Sequence, residues 1–371
     1  MKVLFLTNVP SPYRVDFFNE LGKYCELTVL FEKDTSDERD DSWKRYKFQN
    51  FKGIVLRGKS VKADGAFCPG VINHIRDKSY DEIICANVAS PTGMLAILYM
   101  KLVGISYWIE GDGAFAKSGK GLKEAVKRFF ISGAKGYFST SAEHDRYYLT
   151  YGADEEKIYR YPFTSLYVKD ILSEAPTLRE KVEVRRSLGI TEQKVVLAVG
   201  QFIHRKGFDI LIKAAGRMPR DTGFYFVGGN PSEEYLRLRE KVGLQKTVHF
   251  VGFCEKEKLS LYYKAADLFV LPTREDIWGL VINEAMAHGL PVISTDRCGA
   301  ALELVRDGEN GYIIPTDDDV VLVKRIEHLL NDAEGCRRCA GQALKIVGEY
   351  TIEKMASEHI RIVESVDGDP H

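Results

Sequence analysis

Short apolar runs alternate with helical patterns through the first part of the chain. The runs are rich in β-branched and aromatic residues, as buried strands usually are. Between them, apolar residues recur at helical spacing, for example at residues 91–102 and 142–151. This alternation predicts an α/β, doubly wound domain. The predicted strands lie at residues 2–7, 27–31, 54–56, 82–86, 105–109 and 136–140.

A second series of strands follows a charged, helical segment with no strand pattern. These strands are predicted at residues 195–200, 223–227, 247–251, 268–271 and 291–294. At 371 residues the chain is long enough for two domains of ordinary size. We therefore predict one Rossmann-like domain at residues 1–168 and a second at 193–350. Residues 169–192 would link them, and a C-terminal helix at 351–371 would cross back to the first domain.

The composition narrows the class of protein. Hydrophobic residues make up 45% of the chain, charged residues make up 28%, and the net charge is -1, which together favour a soluble globular protein without general affinity for nucleic acid. The first residues form a strand pattern and not a signal peptide, and no apolar run is long enough to span a bilayer. We therefore expect a cytoplasmic protein, and its seven scattered cysteines are typical of reduced thiols.

The most informative stretch is residues 272–291, which read PTREDIWGLVINEAMAHGLP. A polar loop runs through Gly279 into an apolar helix, so Asp276 and Glu284 flank one helix N-terminus. The first backbone N–H groups of that helix, at Leu280 and Val281, point to the same space with the positive end of the helix dipole. Amides suit a phosphate and carboxylates suit hydroxyl groups, so a nucleotide sugar would match. An ordinary buried helix with acids in its first turn is the alternative.

A second candidate follows the strand that ends at Gly200. Arg205 and Lys206 lie at the tip of the next strand-to-helix loop, where a phosphate would bind. The alternative is a solvated pair of cations at a loop tip.

These motifs together resemble the donor domain of glycosyltransferase family 4, which comprises retaining enzymes of the GT-B fold, and in particular the bacterial surface-polysaccharide type. The resemblance is specific over residues 195–315 and looser in the first domain. It implies two Rossmann-like domains facing across a cleft, the first on the acceptor side and the second binding the nucleotide sugar. The motifs are Val199-Gly200, Lys206-Gly207, Gly228-Gly229, Phe250-Val251-Gly252-Phe253, the Asp276-x7-Glu284 pair and Asp307-Gly308-Glu309-Asn310-Gly311-Tyr312.

The resemblance also implies roles for individual residues. Arg205 and Lys206 would neutralise the donor diphosphate, with Leu280 and Val281 supplying amides. Glu284 would accept hydrogen bonds from the ribose, Asp276 would contact the transferred sugar, and Phe253 would lie by the base. Asp276, Arg205 and Lys206 are the predicted catalytic residues, and Gly279 and Glu275 complete the predicted donor site.

Two residues depart from the pattern of the family. The family has a glutamate where Asp276 stands, so Glu275 is an alternative partner for the sugar. The family also favours arginine where this chain has Gln201, so Arg205 would carry more of the phosphate charge.

The acceptor side is predicted from the first domain. The resemblance points there to Ser11, Tyr13 and Arg14. Glu110 and Asp112 follow the strand at residues 105–109, where either acid would face the donor sugar or the acceptor. The alternative is a simple turn built from Gly and Asp. We identify no histidine in this region of the sequence, although the family often has one.

No D-x-D motif follows a strand, so we expect neither a metal nor another cofactor. Asp317-Asp318-Asp319 lies in a late loop and is interpreted as solvated acids.

Residues 117–131 form a basic amphipathic segment. An anionic membrane surface would attract such a helix, which predicts a peripheral protein on the inner face of the cell membrane. A surface helix with a solvated basic face is the alternative. The cations are Lys117, Lys120, Lys123, Lys127 and Arg128, and the apolar residues are Leu122, Val126, Phe129, Phe130 and Ile131.

The predicted function is therefore sugar transfer, with retention, from a nucleotide diphosphate sugar to a saccharide or lipid-linked saccharide in surface polysaccharide or glycan synthesis. A UDP-linked donor is the first expectation. A sugar-nucleotide epimerase and a non-catalytic nucleotide-sugar binding protein remain alternatives. The motifs do not encode the base, the sugar or the linkage.

Overall fold

The protein was analysed as a computed structural model that describes residues 1–34, 47–62, 65–117, 119 and 121–367. It divides into two compact units. The first comprises Met1–Ser165 and Thr351–His371, and the second comprises Leu166–Tyr350.

The first unit is built on a seven-stranded parallel sheet with the order β3-β2-β1-β6-β7-β8-β9. Buried apolar side chains of the central strands, such as Leu4 and Leu6, pack against helices including α3, whose Ala96 and Ile97 are fully buried. Its elements are β1 (Lys2–Thr7), α1 (Pro12–Leu21), β2 (Glu26–Phe31), β3 (Lys52–Val55), β4 (Lys59–Lys62), β5 (Gly65–Phe67), α2 (Val71–Ile75), β6 (Glu82–Cys85), α3 (Pro91–Val103), β7 (Trp108–Glu110), α4 (Leu122–Ile131), β8 (Gly136–Ser139), α5 (Ala142–Thr150) and β9 (Ile158–Arg160).

The second unit has a six-stranded parallel sheet with the order β12-β11-β10-β13-β14-β15. Its elements are α6 (Leu178–Leu188), β10 (Lys194–Val199), α7 (Phe208–Ala215), β11 (Thr222–Val227), α8 (Glu233–Lys241), β12 (Val248–Val251), α9 (Lys256–Ala265), β13 (Leu268–Leu271), α10 (Leu280–Ala287), β14 (Val292–Thr295), α11 (Gly299–Leu304), β15 (Gly311–Ile314), α12 (Asp319–Asn331) and α13 (Ala333–Val347). The last helix of the chain, α14 (Ile352–Asp367), packs on α1 in the first unit.

The segment that we predicted as a linker differs from expectation. Residues 169–192 belong to the second unit, because α6 packs on α9 and its Arg185 is buried. Arg185 donates to the carbonyl of Ala265 over 2.8 Å and to the Asp267 carboxylate over 2.7 Å. The Thr177 and Glu180 side chains form a capping box that starts this helix.

Each sheet has a point where the strand order reverses, between β1 and β6 in the first unit and between β10 and β13 in the second. In doubly wound sheets, ligands bind beyond the carboxyl ends of the strands at this point.

Candidate functional site

Two loops meet at the reversal point of the second unit. One connects β10 to α7 and carries Arg205 and Lys206, and the other connects β13 to α10 and carries Asp276. The N–H of Arg274 and the hydroxyl of Thr273 both donate to the carbonyl of Arg205, each over 2.8 Å. These bonds hold the two predicted halves of the donor site side by side.

Glycine allows this close approach. Gly207 has a φ of 67°, and a Cβ added there would lie 1.9 Å from the carbonyl oxygen of Pro272. Any other residue would therefore separate the loops.

The predicted phosphate cation and the predicted sugar-binding acid form an ion pair. Lys206 Nζ lies 2.5 Å from Oδ2 of Asp276, and the whole Asp276 residue is only 7% exposed. Arg205 Nη1 lies 3.6 Å from Oδ1 of Asp276 and donates to the carbonyl of Glu275 over 2.7 Å, with about half of its side chain exposed. The structure thus brings all three predicted catalytic residues together.

The N-terminus of α10 opens beside this ion pair. Gly279 precedes the helix with a φ of 100°, and a Cβ there would lie 2.8 Å from the Sγ of Cys298. Leu280 and Val281 are partly buried in the first turn, where backbone N–H groups have no acceptor within the helix. Their amides and the helix dipole make this corner of the unit attractive to an anion.

Glu284 lies one turn further along α10 and is held by side chains from α9. Its Oε2 accepts a hydrogen bond of 2.9 Å from the hydroxyl of Tyr263. Burial raises the pKa of Glu284, and the hydrogen bond from Tyr263 opposes this in part. The neighbouring His288 binds the backbone carbonyl of Glu284 at 2.7 Å and the hydroxyl of Ser260 at 2.8 Å. The helix position and the orientation of the carboxylate are therefore well defined.

Two further predicted donor residues, Phe253 and Glu275, and the departing residue Gln201 are more exposed than this ion pair. Phe253 is about half exposed beyond β12, three strand spacings or about 14 Å from β13. Glu275 and Gln201 are exposed. A contact of Phe253 with the base stays a prediction.

The acids of the late loop are not merely solvated, which corrects the interpretation from the sequence. Asp317 Oδ1 lies 2.8 Å from the Nε of Arg274, and Asp318 caps α12 by accepting hydrogen bonds from the N–H groups of Val320 and Val321. Arg274 also binds Asp209 on α7, so Asp317 and Asp209 together hold the loop that carries Arg274 and Asp276.

In the first unit the predicted acceptor-side residues form one network at the carboxyl end of β7. Arg14 Nη1 donates to Glu110 over 2.7 Å, while its Nη2 donates to Asp112. The hydroxyl of Tyr13 donates to the other oxygen of Asp112 over 2.8 Å. Ser11 is buried immediately before α1, which carries Tyr13 and Arg14. Glu110 lies in β7 and both acids bind Arg14, so this segment is more than a turn of Gly and Asp. A role of these residues in binding the acceptor stays a prediction.

The two acids differ in environment. The Glu110 side chain is fully buried, whereas that of Asp112 is 26% exposed. Burial alone would raise the pKa of Glu110, but Arg14 and His359 outweigh burial and lower this pKa to about 2. Glu110 is thus a buried partner of Arg14, and Asp112 is the acid that a ligand can reach.

Two histidines that we did not identify from the sequence lie beside this network. His144, in the first turn of α5, packs against Gly111, and burial lowers the pKa of His144 to about 3, an effect that Glu110 opposes only in part. His359 of α14 has its Nε2 3.6 Å from Glu110 Oε1. The strand-loop-helix rule that located Lys206 applies equally to His144 after β8, whereas no sequence signal connects His359 to Glu110.

The second unit matches a known family. Residues 180–346 match the family model of the glycosyl transferases group 1. This part of the chain is a glycosyl transferases group 1 domain. It contains all of the predicted donor residues, from Arg205 to Glu284. The membership in family 4 stays a prediction that is compatible with this match.

Curated relatives match about half of the chain. The lipopolysaccharide core biosynthesis glycosyltransferase LpsE of Rhizobium meliloti is 29% identical over 172 residues, which are 46% of this chain and 50% of LpsE. The D-inositol 3-phosphate glycosyltransferase of Corynebacterium diphtheriae is 31% identical over 205 residues, 52% of this chain and 47% of that protein. The chain thus spans about half the length of the curated relatives it matches.

Solved structures match over the full chain. Anabaena Alr3699/HepE, solved in complex with UDP, has a TM-score of 0.80 at 18% identity, with 100% of both chains covered. Sucrose-phosphate synthase from Thermosynechococcus elongatus has a TM-score of 0.79 at 18% identity, with 99% of both chains covered. These likenesses confirm the predicted fold, GT-B with two Rossmann-like α/β domains. The arrangement of the domains across a cleft stays a prediction.

Proposed function

We propose that this protein is a glycosyltransferase that moves a sugar from a nucleotide diphosphate sugar to a saccharide or lipid-linked saccharide, with retention of configuration. The observation that carries the proposal is the meeting of Lys206, Asp276 and the α10 N-terminus beside Glu284 within a glycosyl transferases group 1 domain. We further propose surface polysaccharide or glycan synthesis as the context, supported by the similarity to LpsE.

In the proposed donor complex, the diphosphate lies between Lys206, Arg205 and the first amides of α10. The cations and the helix dipole then offset the charge of the leaving group, so the reaction needs no metal. Glu284 accepts hydrogen bonds from the ribose hydroxyls, and Asp276 from hydroxyls of the sugar. UDP is the proposed nucleotide, supported by the complex of the structurally similar HepE with UDP.

The proposed chemistry is a same-face substitution at the anomeric carbon. The bond from that carbon to the diphosphate oxygen breaks as the acceptor oxygen bonds to the same carbon. The acceptor proton passes to the departing phosphate oxygen, so enzyme groups position the reactants and stabilise charge. We assign the acceptor to the first unit, where Asp112 and Tyr13 are the groups available to bind hydroxyls.

The network of the first unit argues against the epimerase alternative. A proton-shuttling pair of acids in the first domain would favour an epimerase. Glu110, however, is fully buried and paired with Arg14, so it has no access to a sugar from which to take a proton.

The choice of donor is tested by equilibrium dialysis with UDP, GDP, ADP and their sugar derivatives. We expect saturable binding of a nucleoside diphosphate, with UDP ahead of the others. The proposal is overturned if none of these nucleotides binds.

Nucleotide binding should weaken in acid because of Glu284. Its folded-state pKa lies above the ordinary 4.5, so it takes up a proton earlier than an exposed glutamate as the pH falls, and the neutral form accepts hydrogen bonds from ribose less well. UDP affinity measured by calorimetry should therefore fall between neutral pH and pH 5. The Glu284→Gln variant separates this effect from protonation of the phosphate. An equally steep pH dependence in this variant would contradict the role of Glu284.

We also propose a cytoplasmic location, with peripheral binding to the inner face of the cell membrane through α4. Leu122, Val126 and Phe129 recur at helical spacing on this helix and are 82%, 38% and 48% exposed. Leu102 of the neighbouring α3 is 76% exposed. Among the described residues, no helix combines the length and apolar character needed to cross a bilayer.

The cations of this segment divide into two groups. Lys127 lies over the ring of Tyr151 and binds its hydroxyl at 3.1 Å, and Arg128 donates to the carbonyl of Thr150 over 2.8 Å. Lys117 and Lys123 are exposed, while Lys120 lies outside the described residues. Because Lys127 and Arg128 already bind neighbouring residues, the apolar side chains of α4 give a clearer test of membrane binding than these cations do.

The Leu122→Ser/Phe129→Ser variant should lose cosedimentation with vesicles of phosphatidylglycerol and phosphatidylcholine. Leu122 is 82% exposed and Phe129 is 48% exposed, so the fold should tolerate the change. Lys123→Gln should weaken binding by about fivefold, since one charge near an anionic surface contributes about 1 kcal/mol. Val320→Ser, which changes an apolar residue of the second unit that is 47% exposed, is the matched control. Unchanged sedimentation of the double variant would refute membrane binding by α4.

A further inference from the structure

The second unit contains a groove at the end of its sheet opposite to the candidate donor site. It has a volume of about 790 Å³ and lies between α13 and residues 172–178, over the amino ends of β10 and β13. This volume is within the usual range for small-molecule sites. The donor residues follow the carboxyl ends of the same strands, so the two places are separate.

The walls of the groove are mainly apolar. Leu329 and Leu330 come from the end of α12, Ala340 and Leu344 from α13, and Ala175 and Pro176 from the facing segment. The facing segment is fixed to the unit, because the N–H of Leu172 donates to the carbonyl of Ala287 over 2.9 Å. The groove is therefore a preformed apolar surface.

A glycine in the middle of α13 keeps this groove open. Gly341 lines it, and a Cβ added there would meet no atom within 4 Å. Glycine lowers the stability of a helix interior relative to alanine. No neighbouring atom lies close enough to Gly341 to require a glycine there. The position thus provides space that a larger side chain would occupy.

The rim is basic. Four cations and two acids line the groove. The cations are Lys181, Lys194, Arg337 and Lys345, and the acids are Glu174 and Asp267. Asp267 already binds Lys181 over 3.1 Å and Arg185 over 2.7 Å. Arg337 and Lys345 are exposed on α13, four residues either side of Gly341, at spacings that place all three on one face of the helix.

We propose that this groove binds a single-chain amphiphile with one anionic head group. The alkyl chain lies along the apolar walls past Gly341, and the carboxylate or phosphate head group pairs with Arg337 or Lys345 at the rim. This site does not depend on the proposed transferase activity.

The test uses the full chain and radiolabelled dodecanoate and dodecyl phosphate, each in equilibrium dialysis below its micelle concentration. Saturable binding of one molecule per chain is expected for at least one of them, and the pair shows which head group is preferred. Gly341→Phe should abolish binding by filling the groove, whereas Gly341→Ala should retain it. Arg337→Glu/Lys345→Glu should weaken binding about tenfold or more.

Two controls separate this site from general effects. Arg338→Glu reverses a neighbouring exposed charge that pairs with Glu334 outside the groove, so it should bind like the wild type. UDP binding by Gly341→Phe should be unchanged, which shows that the unit is folded. The proposal is overturned if neither probe binds saturably, if Gly341→Phe binds undiminished, or if Arg338→Glu weakens binding as much as the double reversal.

Discussion

Replacing Lys206 by alanine should raise the dissociation constant for UDP by about 10- to 100-fold. Hydrogen bonds to charged groups contribute about 1.5–3 kcal/mol, and in our proposal Lys206 binds the donor diphosphate. The side chain is mostly shielded from solvent, so its charge is weakly screened. Isothermal titration calorimetry with UDP measures the effect directly. The exposed Lys241 on α8 is the matched control, since it lies away from both loops.

Asp276→Asn, unlike Lys206→Ala, should not weaken nucleotide binding. In the structure the Asp276 carboxylate holds Lys206 at 2.5 Å, where it competes with an incoming phosphate. Removing its charge should leave UDP affinity unchanged or several-fold higher. Sugar transfer should fall, because an amide oxygen accepts hydrogen bonds from the sugar hydroxyls less strongly than a carboxylate does. If Asp276→Asn loses UDP as strongly as Lys206→Ala, then Asp276 serves to position Lys206 and not to bind sugar.

Arg14→Met should destabilise the first unit by about 3–5 kcal/mol, the usual cost of leaving a buried charge without its partner. Arg14 is 4% exposed, Glu110 is 1% exposed, and the pair is bound over 2.7 Å. Burial would then raise the pKa of Glu110, since its main opposing charge is gone. Thermal unfolding followed by circular dichroism should show a midpoint lower by on the order of 10 °C.

The second half of this test is rescue. Arg14→Met/Glu110→Met removes both charges and should regain at least half of the lost stability, because no buried carboxylate remains unpaired. Arg146→Met, which removes an exposed pair with Glu143, should change stability by less than about 1 kcal/mol. A double variant no more stable than Arg14→Met would show that the ion pair itself is not the source of the effect.

The fold followed from the sequence because its strands are short, buried and regularly separated by helices. The same pattern places Lys206 and Asp276 after neighbouring strands, which is why both loops could be located in advance. The position of β7 was less well predicted, since the strand at Trp108–Glu110 begins three residues later than the apolar run at residues 105–109. Glu110 is consequently part of the strand and fully buried.

The pairing of side chains was not predictable from the sequence. Lys206 and Asp276 are 70 residues apart in the sequence. The motifs predict a phosphate as the partner of Lys206 and a sugar as the partner of Asp276, and they do not predict that the two side chains bind each other. Tyr263 reads as an ordinary core residue of an amphipathic helix, although its hydroxyl orients Glu284. His359 reaches the network of the first unit only because α14 packs on α1. Such contacts depend on tertiary packing, which local periodicity does not encode.

The most direct test of the proposed sugar transfer measures the release of free UDP from a panel of UDP-sugars in the presence of membrane extract. We predict release of UDP by the wild type that depends on the extract and is lost in Lys206→Ala and Glu284→Ala. Absence of release with every donor, or undiminished release by both variants, would contradict the proposed function and its site.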